Sequence, residues 1–307
     1  MIIGYWSEAA GKGATTCNML ATALSMAVRC NKRMVLIQGK YDVNRIDNAF
    51  IPFMAENVMR EDYGYYQYGG MDYLLRQAQQ RRLHAGDIEQ ELVQVGGSNV
   101  FYLPAARQRE GTLFDRQFKK IADAFLDTLT EFDKDTVILV ELGNGLETIT
   151  SHLLEVMQVL VINIAQEYHA IRQLGDNRAL MEQSLFIVGR YDEASRMNVR
   201  NIYRRHHIDA QRIGVVPYHT GFKDAVSMGK SFRFFEKNSG LRARKNCVWD
   251  SVKTPVSAPE RNRVPKAGKN YDTILFMKYV GKTAQMIMER CEIDIYGRDD
   301  RDREQGI

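Results

Sequence analysis

The residues with the clearest capacity for chemistry lie near the start of the chain, in Ser7-Glu8-Ala9-Ala10-Gly11-Lys12-Gly13-Ala14-Thr15-Thr16. Glycines let backbone N–H groups turn inward around an anion. A helix that follows adds the positive end of its dipole, and a Ser/Thr hydroxyl can ligate Mg²⁺. Gly11-x-Gly13-x-Thr15-Thr16 has the composition of such a phosphate-holding loop. It needs a strand before it and a helix after it. Both are predicted: Ile2 to Trp6 is a short apolar, aromatic run, and Asn18 to Val28 carries apolar residues at helical spacing.

Other constellations carry less. His206-His207 beside Arg204-Arg205 reads as a basic helix end, since a metal site needs further ligands in space. Gly143-Asn144-Gly145 follows a strand, where open α/β sheets bind ligands, and is assigned to the same nucleotide pocket. Cys17, Cys30, Cys247 and Cys291 show no CxxC spacing and read as reduced thiols. No Ser-His-Asp or Cys-His arrangement stands out.

The elements that must position the loop follow from apolar runs. Met34 to Ile37, Val100 to Leu103, Val137 to Val140, Val159 to Ile164, Leu185 to Val188 and Ile213 to Val216 predict further strands. Helical patterns separate most of them, for example Phe118 to Phe132 and Ala170 to Gln183. Near-continuous apolar strands alternating with helices predict an α/β fold: a mostly parallel sheet with helices on both faces. Residues 1–235 are expected to form this domain. A basic loop or insert at 236–269 follows, with Lys237, Arg242, Arg244, Lys245, Lys253, Arg261, Arg263, Lys266 and Lys269. A C-terminal helix within 270–296 packs back on the domain, and 297–307 is a charged tail. Tyr63, Tyr65, Tyr66 and Tyr68 form a tyrosine-rich surface loop, either solvated or a partner surface.

The chain has 307 residues, 45% of them hydrophobic, enough for a large core. A net charge of +4 is too small to argue for nucleic acid by itself. MIIGYWS is too short for a signal sequence, and no stretch approaches the roughly 20 apolar residues of a spanning helix.

The order of these motifs resembles the MinD/ParA family of deviant-Walker-A P-loop ATPases. Thr15-Thr16 falls on the TT of that family's KGGxGKTT loop, with Gly11 and Gly13 on two of its glycines. Val35-Leu36-Ile37-Gln38-Gly39-Lys40 resembles its VLLIDxD strand. Ile138-Leu139-Val140-Glu141-Leu142-Gly143 resembles its Walker B strand. Val159 to Glu167 resembles its VLxVxxPE segment, and Val215-Val216-Pro217 with Ala225 and Gly229 its late IP segment. The resemblance spans residues 1 to about 235 and the final helix. It implies a site for ATP or ADP with Mg²⁺, formed by Gly11, Lys12, Gly13, Ala14, Thr15, Thr16 and Glu141. Thr15 would be the magnesium ligand, and Arg190 and Pro217 would lie beside the base.

The departures are as informative. In this register the P-loop lysine is Ala14, the signature lysine is Ala9, and the two acids of VLLIDxD are Gln38 and Lys40. Lys12 stands at a variable position, where it either swings to a phosphate or stays solvated. Phosphoryl transfer depends on positioning and charge neutralisation, and one lost contact of this kind can cost about 10²–10³ in rate. Slow or absent hydrolysis is expected. Proteins with degraded loops resemble the TadZ/CpaE-type pilus-assembly branch, which implies a cytoplasmic homodimer, peripheral at the membrane or cell pole, that positions a pilus or secretion machinery. Its partners would be a motor ATPase or a membrane platform, with no integral membrane segment. The alternatives are a ParA-like ATPase segregating DNA or plasmids, using the basic stretch, and a MinD-like membrane-associated regulator.

Overall fold

The structure is a computed structural model, and it describes residues 1–8, 11–42, 45–51, 69–106, 111–144, 151–174, 182, 184–206, 208–240 and 269–293. Ala9, Gly145, the tyrosine cluster, His207, the charged tail and most of the basic stretch lie outside the described residues.

Eight strands form one sheet: β1 (Ile2–Ser7), β2 (Arg33–Gln38), β3 (Val93–Gln94), β4 (Val100–Tyr102), β5 (Thr136–Asn144), β6 (Val159–Ile164), β7 (Leu185–Tyr191) and β8 (Ile213–Pro217). Their spatial order is β3-β4-β2-β5-β1-β6-β7-β8. Every pairing is parallel except β3 with β4, an antiparallel edge two residues long. All seven strands expected from apolar runs are present, and β3 is additional.

The helices are α1 (Thr15–Ala27), α2 (Gly70–Gln80), α3 (Ala85–Glu91), α4 (Gly111–Thr130), α5 (Ser151–Val156), α6 (Tyr168–Leu174), α7 (Val199–His206), α8 (Thr220–Ser227), α9 (Ser231–Asn238) and α10 (Lys269–Arg290). Strand side chains alternate between faces, and the sheet makes two cores accordingly. Ile3, Tyr5, Leu36 and Leu139 pack with α1, α8, α9 and α10, while Ile2, Trp6, Ile37 and Val140 pack with α2 to α7. That two-sided burial is why β1 and β6 are apolar along nearly their whole length rather than alternating.

The C-terminal helix, expected within 270–296, runs from Lys269 to Arg290 and spends its apolar stripe in this core. Phe276, Met277, Val280, Ala284, Ile287 and Met288 are buried. Thr283 fixes the helix on edge strand β8: its Oγ1 accepts from the Val215 amide at 2.9 Å and donates to the Val215 carbonyl at 2.8 Å. Helix α9 extends to Asn238, so the first residues of the basic stretch are helical.

Chain direction changes around β1. The chain leaves β1 for β2 on one side, and later reaches β6 on the other, with β5 inserted between. Side-by-side strands whose connections diverge leave a crevice at their C-terminal ends. The described loop residues, 11–14, follow the C-terminal end of β1.

Candidate functional site

β1 ends at Ser7, and α1 begins at Thr15. Between them the described part of the loop makes a tight turn. Gly11 has φ +71°, and Ala14, the N-cap of α1, has φ +54°. A non-glycine residue in the left-handed region is strained, by about 1–2 kcal/mol. The surroundings enforce it. A Cβ on Gly13 would lie 2.5 Å from Ser7 Oγ and 2.8 Å from the Asn163 carbonyl oxygen. A Cβ on Gly189 would lie 2.5 Å from the Gly13 carbonyl oxygen. The loop is thus clamped between the ends of β6 and β7.

Two buried asparagines complete the clamp. Asn18 Nδ2 donates to the Gly13 carbonyl and to Asn163 Oδ1, each at 2.9 Å. Asn163 Nδ2 donates to the Trp6 carbonyl at 3.1 Å. Neither residue was singled out from the sequence. The available signal was an asparagine inside the apolar run Val161-Ile162-Asn163-Ile164, because a polar side chain in a fully buried strand needs partners.

At the start of α1 the Thr16 Oγ1 hydroxyl donates to Glu141 Oε1 at 2.6 Å. The expected metal-binding hydroxyl was that of Thr15. Thr15 is the first residue of the helix and is buried; the hydroxyl that meets the carboxylate is that of its neighbour Thr16. The difference is one step around the helix, about 100°.

Glu141 is fully buried. The same Oε1 is bound by the Lys40 ammonium at 2.9 Å, and Lys40 also reaches Asp42 at 3.2 Å. Only 11% of the Lys40 side chain is exposed. The topology makes this pair: β2 lies against β5, with Gln38 opposite Glu141. Burial pushes the Glu141 carboxyl up, against the Lys40 charge and the Thr16 hydrogen bond. Burial pulls the Lys40 ammonium down, but Glu141 and Asp42 outweigh it and hold it above the usual lysine range. Glu141 Oε2 is buried and has no hydrogen-bond partner among the described residues.

Gln38, at the first acid position, is structural. Its Oε1 accepts from the Ile46 amide at 3.1 Å. Lys12 points away from this corner, to Glu167 Oε2 at 3.1 Å, with both side chains more than half exposed. Arg190 and Pro217 stand on the neighbouring ends of β7 and β8. Arg190 has φ +50° at a register shift between Gly189 and Tyr191, and Tyr191 pairs with Pro217.

A magnesium ion does not fit this corner as built. Mg²⁺ takes an octahedron of oxygen ligands at about 2.0–2.1 Å. Here the carboxylate oxygen facing the Thr16 hydroxyl already carries an ammonium. A divalent cation on the same oxygen would have to displace the Lys40 ammonium from Glu141. Among the described residues no group of three or more His, Cys, Asp or Glu side chains could hold a metal ion.

No protein-family model matches the sequence, and no curated protein matches it. Solved structures do. A ParA family ATPase from Chlorobium tepidum TLS superposes with a TM-score of 0.58 over 92% of this chain and 98% of that one, at 13% identity. The chain has the fold of the ParA and MinD ATPases. The MinC:MinD cell division complex of Aquifex aeolicus gives 0.56 over 94% and 96%, at 16% identity. MinD complexed with Mg-ADP from Pyrococcus horikoshii OT3 gives 0.53 over 95% and 97%, at 14% identity. Identities this low establish the MinD/ParA architecture and not the chemistry.

Proposed function

We propose that this chain binds ATP or ADP in the loop of residues 11–16, hydrolyses it slowly or not at all, and acts as a dimeric positioning scaffold. The observation that supports the nucleotide reading is the clamped loop: a strained turn that leads into the N-terminus of α1, where the first amides of a helix have no acceptor within it, with the Thr16 hydroxyl on Glu141. Arg190 and Pro217 would flank the base. Weak turnover follows from the replaced lysines and from the Lys40–Glu141 pair, which occupies the carboxylate that would otherwise serve a metal.

The finer role, positioning a pilus or secretion machinery, rests on the sequence resemblance. The MinD-like membrane alternative loses support because most apolar residues of α10, though not Tyr271 and Ile274, are buried against the domain. No described helix is long and apolar enough to cross a membrane.

Isothermal titration with ATP and ADP, together with phosphate release, tests this reading. Binding without measurable turnover is expected, and Thr16→Ala should weaken binding roughly tenfold, or about 1.4 kcal/mol. Turnover at rates ordinary for ATPases would overturn the scaffold reading. Absence of binding would overturn the nucleotide reading.

A further inference from the structure

In a P-loop a nucleotide-bound metal would be held by the acid on the neighbouring strand and the hydroxyl at the start of the loop helix; here Lys40 is paired with that acid, Glu141 on β5, which also takes the Thr16 hydroxyl. Lys40 shares one carboxylate oxygen with Thr16, at 2.9 and 2.6 Å. An ammonium carries three N–H donors. Two are taken by Glu141 and Asp42. The third has no partner among the described residues. Lys40 retains 11% exposure in a corner where Glu141 is wholly enclosed. Part of the Lys40 side chain is therefore accessible while the acid that anchors it is not.

We propose that Lys40 is a built-in cation that replaces magnesium, so that the site takes a nucleoside di- or triphosphate without a metal. The inference deepens the nucleotide reading and rests on it. Glu141 and Asp42 hold the ammonium, Thr16 aligns Glu141, and the free N–H of Lys40 donates to a phosphate oxygen. A flexible, monovalent point charge can neutralise a bound phosphate, but it cannot bridge two phosphates in a fixed octahedron as a metal does. Binding without efficient phosphoryl transfer is the consequence.

The test is the affinity of the full chain for ATP and ADP in excess Mg²⁺ and in excess EDTA, with Mn²⁺ as a spectroscopic probe. The wild type is expected to bind equally in both conditions, within about threefold, and to hold no Mn²⁺ in the nucleotide complex. Lys40→Asp should bind at least about tenfold more weakly in EDTA and recover when Mg²⁺ is added. Lys40→Gln, which keeps the side-chain length, should weaken binding in both conditions, and guards against misfolding of the charge-reversed variant. Wild-type binding that needs Mg²⁺ would overturn the inference and leave the nucleotide reading standing. So would unchanged affinity of Lys40→Gln in EDTA. Failure of the wild type to bind nucleotide in either condition would overturn both.

Discussion

Two lysine–glutamate pairs flank the same loop and differ little in length. Lys40–Glu141 spans 2.9 Å and Lys12–Glu167 spans 3.1 Å. Their surroundings differ completely. Glu141 is wholly enclosed and Lys40 nearly so, whereas Lys12 and Glu167 are 57% and 54% exposed. Distance alone would rank them as equals. Desolvation separates them. The enclosed charges have given up water, so each depends on the other, while the exposed pair is screened by solvent and contributes at most about 1 kcal/mol. The enclosed pair can hold a charge at a fixed point in the crevice. The exposed pair can be exchanged for a ligand at little cost.

The largest effect is expected when the enclosed pair is broken from the lysine side. Lys40→Met should lower unfolding stability by about 3–5 kcal/mol at neutral pH in denaturant titrations, because it leaves a buried carboxylate without its cation. The sign with pH follows. Removing the ammonium raises the Glu141 carboxyl further, so stability is present when the carboxyl is protonated and is lost as pH rises through the raised value. Lys40→Met should therefore regain stability at mildly acidic pH. Adding Glu141→Gln to Lys40→Met should recover most of the loss, since the double variant carries no buried charge. A double variant as unstable as the single one would show that the two side chains serve packing instead.

Breaking the clamp comes next. Gly13→Ala would force a Cβ against the Ser7 hydroxyl and the Asn163 carbonyl, and should cost about 1–3 kcal/mol in thermal unfolding as the loop is pushed off β6. Lys12→Ala should change stability by no more than about 1 kcal/mol, an effect that high salt erases. A larger change would mean that the exposed pair is coupled to the loop's conformation.

A further titratable group extends the same rule on a smaller scale. His219 caps α8, its Nδ1 accepting from the Phe222 amide at 3.0 Å, and its ring packs on Phe234 and Phe276. Burial lowers its pKa, against a smaller opposing effect of Asp272. A lowered histidine contributes stability that is present above about pH 6.5 and is lost as pH falls through the folded value. His219→Asn keeps the cap acceptor without titrating, and should flatten a small decline in melting temperature as pH falls below about 6.5.

Much of the fold is legible in the sequence because its strands are buried on both faces and read as unbroken apolar runs. Val159 to Ile164 is the clearest case, with the same limits in both views. Helices α3, α8 and α9, seven or eight residues each, left no comparable pattern. Helices this short are held by packing and caps, not by their own propensity. The site was legible as a loop and a helix start, but not in its partnerships. Lys40 in place of an acid reads as a loss when the positions are taken singly. It becomes a compensation only when β2 is laid against β5, which brings residues 40 and 141 together across about a hundred positions. Which hydroxyl meets Glu141 was likewise invisible, because it turns on whether the helix begins one residue earlier or later.

The most direct test of the central claim is a crystal structure of the protein with a non-hydrolysable ATP analogue, grown in the presence of Mg²⁺. The account predicts phosphates against the amides of residues 11–16, the Lys40 ammonium in contact with a phosphate oxygen and still paired with Glu141, and no metal between them. A magnesium ion on Thr16 with Lys40 displaced from Glu141, or phosphates bound away from the loop, would contradict it.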